Sequence, residues 1–164
     1  MISVSAFARD SVNFGGKKLQ CKDRSGRPVP LYYGDDGSPG TAFVNERDGS
    51  VIEFNPDILA EYSYEVQWFI FYHECGHIHI GGSELAADKY ALGVAHREGW
   101  LTERVASRIC DSFHNAPETS SHPSGRRRCR HIFERFNELK NIKSPAPLKK
   151  PAPTPPRKPR QYWD

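Results

Sequence analysis

The sequence predicts one α+β domain followed by a separate tail, and three patterns support this prediction. Two β-type runs, 41–45 and 51–54, flank an Asp-Gly turn, as in a β-hairpin. Residues 63–80 are apolar on nearly every side of a helix, and three later segments repeat apolar residues at helical spacing. The length of 164 residues suits a single core, which we assign to residues 1–140, with the tail at 141–164.

Short strands are expected before the hairpin as well. Residues 1–40 mix short apolar pieces with turn-forming residues, which favours one or two strands there. In the hairpin itself, Asp48 and Gly49 occupy the connection between the strands. Pro56 then ends the second strand and suits the first turn of a short helix that continues to Leu59.

The central helix is predicted from Ser63 to Ile80, and Gly81 and Gly82 end it. A helix that is apolar all round belongs in the middle of a domain. At about 100° per residue, its side chains divide into two faces. One face carries Val66, Phe69, Ile70, His73, His77 and Ile80, whereas the other carries Trp68, Phe71, Tyr72 and Cys75.

Three helices are predicted after the central one. The first has Ser83 as its cap and runs from Glu84 to about Glu98, and the second begins at the Thr102 cap. The third opens at Ser124 or Gly125. Its start carries four arginines, which oppose the helix dipole and are unusual for a purely structural helix. These are Arg126, Arg127, Arg128 and Arg130.

The formal net charge is +3, and much of the basic excess lies in the tail. The tail is rich in proline and lacks apolar residues to bury, so we expect it to be extended and disordered. It is a candidate contact for a partner protein, whereas nucleic acid is not an expected partner.

No apolar run is long enough to cross a bilayer, and the N-terminal residues lack the apolar core of a secretory signal. The compartment is therefore left open. A native N-terminus would indicate a cytoplasmic protein, and a removed signal peptide would indicate an exported or periplasmic one.

The chain has four cysteines, and none of them form a Cys-x-x-Cys pair. Buried free thiols are the leading interpretation. If a disulfide forms, Cys110 and Cys129 are the expected partners.

The segment His73-Glu74-Cys75-Gly76-His77 carries the functional prediction. Two histidines four residues apart on a helix face the same point, and the intervening glutamate projects beside them. A catalytic zinc ion needs three protein ligands and an open position for water. The two histidines would supply two of these ligands, and the cation would offset the cost of burying the glutamate.

The third ligand must come from another part of the chain. Glu84 and Asp88 follow the central helix closely and are also four residues apart, so both can face the histidines. We favour Glu84 as the ligand and Asp88 as the carboxylate that accepts a ring N–H from a ligand histidine, although the reverse assignment stays open. His79 points to the opposite side of the helix and is not expected to bind the same ion.

These residues resemble the HExxH and ExxxD motifs of the gluzincin metallopeptidases, especially the catalytic core of the minimal group that includes the CAAX prenyl endopeptidases and HtpX-like proteases. The hairpin is similar to the strand pair of that group, whose edge strand holds the substrate backbone. His122-Pro123 and the arginines after it resemble a later His-Pro segment of the group. The resemblance implies a small zincin-like domain.

The resemblance also implies a zinc-dependent endopeptidase that hydrolyses peptides or proteins. Glu74 would be the general base for a zinc-activated water, and His122 or Arg126 would stabilise the oxyanion. The membrane-spanning helices of the related enzymes have no counterpart here, so the substrate is not carried over. The alternatives are a metal-binding pseudoenzyme and a regulatory or adaptor protein whose basic, proline-rich tail binds a partner or nucleic acid.

Overall fold

The computed structural model describes residues 8–45, 48–120 and 122–142. Five strands come first, and five helices follow them. The strands are β1 (Val12–Phe14), β2 (Lys17–Leu19), β3 (Leu31–Tyr33), β4 (Gly40–Asn45) and β5 (Gly49–Phe54). The helices are α1 (Pro56–Leu59), α2 (Tyr64–Ile80), α3 (Glu84–Arg97), α4 (Glu103–Phe113) and α5 (Gly125–Lys140).

This arrangement confirms the predicted α+β class and the predicted order of hairpin and helices. The N-terminal region forms three short strands rather than one or two. The tail predicted at 141–164 lies, beyond residue 142, outside the described residues. Among the described residues, no helix combines the length and the apolarity that crossing a bilayer requires.

The strands form two small sheets. β1 and β2 make an antiparallel pair, and β5 lies between parallel β3 and antiparallel β4 in the other sheet. β4 is therefore an edge strand, which pairs with β5 from Gly40 opposite Phe54 to Asn45 opposite Gly49. Gly49 has φ of 73°, which glycine adopts without strain in a hairpin connection.

The central helix α2 is buried on most sides, as its all-round apolar sequence predicts. On one side, Phe71 stacks on Phe54 of β5, with ring centroids 5.6 Å apart. On another side, Trp68 packs edge-on against Trp100, and its indole N–H donates to the Phe14 carbonyl at 2.8 Å. α2 thus joins both sheets to the later helices.

Lys17 connects the β1–β2 pair to the aromatic rings of the helical region. Its ammonium lies 4.8 Å from the centroid of the Trp68 ring and about equally far from the Tyr72 and Trp100 rings, and it pairs with the Glu98 carboxylate. Glu98 also accepts hydrogen bonds from the Tyr72 hydroxyl and the Trp100 indole N–H. A cation over aromatic faces with a carboxylate partner is stable despite its partial burial.

The leading prediction of buried free thiols is wrong for Cys21 and Cys75, which form a disulfide, and the alternative pairing of Cys110 with Cys129 is wrong as well. The segment after β2 passes α2 at Cys75, which brings together two residues 54 positions apart. Such a contact has no local sequence signal. Cys110 and Cys129 are buried free thiols that contact each other, and burial raises the pKa of Cys110.

The helix starts agree with the cap predictions. Ser83, Thr102 and Ser124 each accept a backbone N–H from the first turn of the helix that follows. At the other end of α2, Gly81 has φ of 94° and allows the sharp turn into α3.

Gly76 allows α3 to approach α2 closely. A Cβ atom at Gly76 would lie 3.1 Å from Cα of Ala87 and 3.2 Å from its carbonyl oxygen. Because glycine has no side chain, the two helices can pack backbone against backbone at this point. The same contact carries Glu84 and Asp88 of α3 toward the histidines of α2.

Replacing Gly76 by alanine should destabilise the domain, whereas the same change at Gly93 should stabilise it. Alanine is favoured over glycine inside a helix by about 1 kcal/mol. At Gly76 the added methyl group meets the backbone of α3, and overpacking of this kind costs about 1–3 kcal/mol. At Gly93 the nearest atom is the end of the flexible Arg97 side chain, at 3.5 Å. Urea denaturation measures both variants, and equal free energies of unfolding would contradict the packing role of Gly76.

Candidate metal centre

Five of the predicted site residues meet in one cleft of about 880 Å³ between the edge strand β4 and helix α2. His73, Glu74 and His77 project into it from α2, and Glu84 projects into it from the start of α3. His122 and Arg128 also line the cleft. The cleft thus brings together His73 and Arg128, which are 55 positions apart in the sequence.

His73, His77 and Glu84 form a group that could hold a metal ion. The two Nε2 atoms are 3.1 Å apart. Glu84 places one carboxylate oxygen 3.3 Å from His73 Nε2 and the other 3.4 Å from His77 Nε2. A tetrahedral ion with bonds of about 2.0–2.1 Å needs ligand atoms about 3.3–3.4 Å apart. The three side chains therefore fit one ion and leave a fourth direction toward the cleft.

The histidine rings are held by their second nitrogen atoms. His73 Nδ1 lies 2.8 Å from Asp88 Oδ1, and His77 Nδ1 lies 2.9 Å from the Gly81 carbonyl oxygen. Because both partners are acceptors, each Nδ1 carries the proton and donates it, which leaves the Nε2 lone pair for a ligand. Asp88 thus lies behind His73, and Glu84 lies in front of both rings.

Arg128 is the site residue that the sequence prediction missed. Its Nε and Nη2 atoms donate to the two oxygens of Asp88, at 2.9 and 2.6 Å. Nη1 lies 3.5 Å from Glu84, and the guanidinium lies 4.4 Å from the Phe113 ring centroid. A paired, fork-shaped contact of this kind fixes a carboxylate in position.

Arg126 was a predicted oxyanion stabiliser, and the structure places it elsewhere. Arg126 is exposed near the start of α5 and does not line the cleft, whereas Arg128 is largely buried. Four arginines at the start of a helix oppose its dipole, and this unusual pattern indicates that one of them has a buried partner. The sequence alone does not identify that member, because the helix orientation depends on the packing of α5 on α3.

Glu74 is anchored to the edge strand. Its Oε2 accepts the Ala42 N–H at 2.9 Å, and the residue is only 9% exposed. A Cβ atom at Gly40 would lie 3.1 Å from Cγ of Glu74, so the glycine leaves room for the carboxylate. Burial raises the pKa of Glu74, and the nearby charges of His73 and His77 counteract only part of this increase.

The site carries more negative than positive fixed charge. Three buried carboxylates, those of Glu74, Glu84 and Asp88, face the single guanidinium of Arg128. Burial disfavours the charged form of His73, but hydrogen bonds to Asp88 and Glu84 outweigh burial and raise its pKa to about 9. Burial acts to raise the pKa of Glu84, but its hydrogen bonds to His73 and His77 outweigh burial and hold this pKa below its usual range. A buried site with this imbalance favours a cation, either protons on the histidines or a metal ion.

His122 lies at the rim of the cleft. Its Nε2 is 3.5 Å from a Glu84 oxygen, and its side chain is 58% exposed. Thr119 holds the turn that presents it, because its hydroxyl accepts the His122 N–H and its N–H donates to the His122 carbonyl. His79 stacks on Tyr90, and it is not part of the His73, His77 and Glu84 group.

Replacing Arg128 by methionine should lower the free energy of unfolding by about 3–5 kcal/mol, because the buried Asp88 then loses the two guanidinium hydrogen bonds that pair its charge. The matched change at the exposed Arg126 should stay within about 0.5 kcal/mol. Chemical denaturation of the metal-free proteins at neutral pH provides the comparison. A similar loss in both variants would contradict the assignment of Arg128 to the site.

Comparison with known proteins provides no family for this chain. No protein-family model, no curated protein and no solved structure matches it. The resemblance to the gluzincins therefore remains a hypothesis that rests on the motifs and on the geometry around them.

Proposed function

We propose that this protein is a zinc-dependent metallopeptidase. The observation that carries the proposal is the triangle of His73, His77 and Glu84 with the buried Glu74 beside it. Two imidazoles and a carboxylate with an open fourth position are the ligand set of catalytic zinc sites. When bound, a zinc ion supplies Lewis acidity, which polarises a carbonyl oxygen and lowers the pKa of a water molecule.

Glu74 is the proposed general base and acid. It accepts a proton from the attacking water and then donates it to the leaving amine. Its raised pKa supports this role, because a carboxyl group whose pKa moves toward neutrality exchanges protons more readily. The Ala42 N–H donates to one oxygen of the Glu74 carboxylate, and the other oxygen is the one proposed to exchange the proton.

The edge strand β4 is the proposed binding site for the substrate backbone. The Ile52 N–H of β5 donates to the Pro30 carbonyl, which lies on the β3 side. Backbone groups alternate in direction along a strand, so the residues next to Ile52 in β5 direct theirs toward β4. Phe43 of β4 is paired with one of these residues and directs its own backbone groups toward β5. The backbone groups of its neighbours Ala42 and Val44 therefore point away from the sheet. An extended peptide can pair with an open edge of this kind.

The walls of the cleft suit a peptide rather than a small charged metabolite. All its ionisable lining residues belong to the site described above, and the other lining residues are neutral. The large neutral residues are Phe43, Val44, Tyr62, Phe69, Ile70, Ile78 and Phe113. Such a lining accepts apolar side chains and gives little compensation for buried charges.

Replacing Glu74 by glutamine should reduce peptidase activity by about 10²- to 10⁴-fold, because the amide cannot accept the proton of the attacking water. Zinc content should stay near that of the wild type, since His73, His77 and Glu84 are unchanged. Hydrolysis of unfolded casein and metal analysis of the same preparations are the two measurements. The His73→Gln variant is the control that should lose both metal and activity.

Equal activity of wild type and Glu74→Gln would contradict the proposed mechanism. A wild-type protein that binds zinc but cleaves no peptide would instead support a domain that uses the metal to organise its structure.

Replacing Val44 by proline should raise KM for peptide substrates with little change in kcat. The change removes a backbone N–H that faces the open edge, and the residue is 77% exposed. Val44→Ala, which keeps the N–H, is the matched control. If both variants raise KM equally, the side chain rather than the strand edge contributes to binding.

A further inference from the structure

Helix α2 carries a second pair of metal-binding side chains four residues apart. His73 and His77 form the first pair, and Cys75 and His79 form the second. An offset of two residues rotates the second pair by about 200°, so the two pairs lie on opposite sides of the helix. Cys75 and His79 are neighbours on their own side for the same reason that the two ligand histidines are.

Cys21 completes a three-residue group on that side. The sulfurs of Cys21 and Cys75 are bonded to each other, and a ring nitrogen of His79 lies within 4.8 Å of both. Cys21 is fully buried and Cys75 is 3% exposed, whereas His79 is only half-buried. An ion would therefore reach this group from the His79 side.

His79 is held in place without using its ring nitrogens. Its ring stacks on Tyr90 at a centroid distance of 5.2 Å, and its backbone carbonyl accepts a bond from Arg24. Within the described part of the chain, neither ring nitrogen of His79 forms a hydrogen bond. The ring is thus positioned by its face and backbone, and a nitrogen lone pair is left for a ligand.

We propose that Cys21, Cys75 and His79 form a second metal site, selective for a thiophilic ion such as Zn²⁺, that becomes available when the Cys21–Cys75 disulfide is reduced. Thiolate and imidazole ligands together suit zinc, and the fourth tetrahedral position is left for water. The site is separate from the proposed catalytic centre, and its existence does not depend on peptidase activity.

Reduction must come before binding. A disulfide sulfur is not a thiolate, so the oxidised pair offers no suitable ligand. Two thiol groups of a reductant, which one molecule of dithiothreitol supplies, each give up one hydrogen atom, which yields the Cys21 and Cys75 thiols and one reductant disulfide. Binding of Zn²⁺ then releases the two thiol protons, and His79 contributes a neutral nitrogen.

Cobalt binding tests the proposal. The protein is reduced with excess dithiothreitol, freed of reductant by anaerobic gel filtration and titrated with Co²⁺ alone. We expect a second equivalent of Co²⁺ to bind to the reduced protein, with a thiolate-to-cobalt charge-transfer band in the near ultraviolet. The oxidised protein keeps Cys110 and Cys129 as thiols and should show no such band, so it controls for that pair.

Variants identify the ligands. His79→Gln and Cys21→Ser should each lose the band at stoichiometric Co²⁺. If Cys21→Ser fails to fold, His79→Gln still tests the proposal, because it keeps every cysteine. His73→Gln should lose the first equivalent and retain the band, which separates this site from the catalytic one. No band in the reduced wild type, or an unchanged band in His79→Gln, would overturn the proposal.

Discussion

The buried carboxylate of Asp88 is the constraint on which the centre of this protein depends. Asp88 is completely inaccessible to solvent, and an ionised group in that position needs paired hydrogen bonds. It receives them from His73 of α2 and from Arg128 of α5. One side chain of α3 thus fixes two other helices, and the ring orientation of His73 follows from the same contact.

The main features of this arrangement could be predicted from the sequence because they depend on local periodicity. The spacing of His73 and His77 places both on one face of a helix, and the Gly81 turn brings Glu84 back toward them. The hairpin and the helix caps are likewise local features. For these elements the chemical pattern and the backbone geometry extend over a few residues, so sequence reasoning is effective.

Contacts between distant segments could not be predicted in this way. A single disulfide among four cysteines can form in six ways, and the observed bond depends on where the loop after β2 meets α2. Arg128 enters the site, rather than Arg126, because of the rotation of α5 against α3. That rotation is set by apolar packing of residues such as Ile132, which is fully buried, and not by the arginines themselves.

The hydrogen bond from Ala42 to Glu74 joins the proposed general base to the edge strand, so the two move together. In the proposed mechanism, a peptide that pairs with β4 contacts the same backbone that positions the Glu74 carboxylate. If docking shifts the strand by a few tenths of an ångström, the carboxylate follows, and its alignment with the docked bond is preserved.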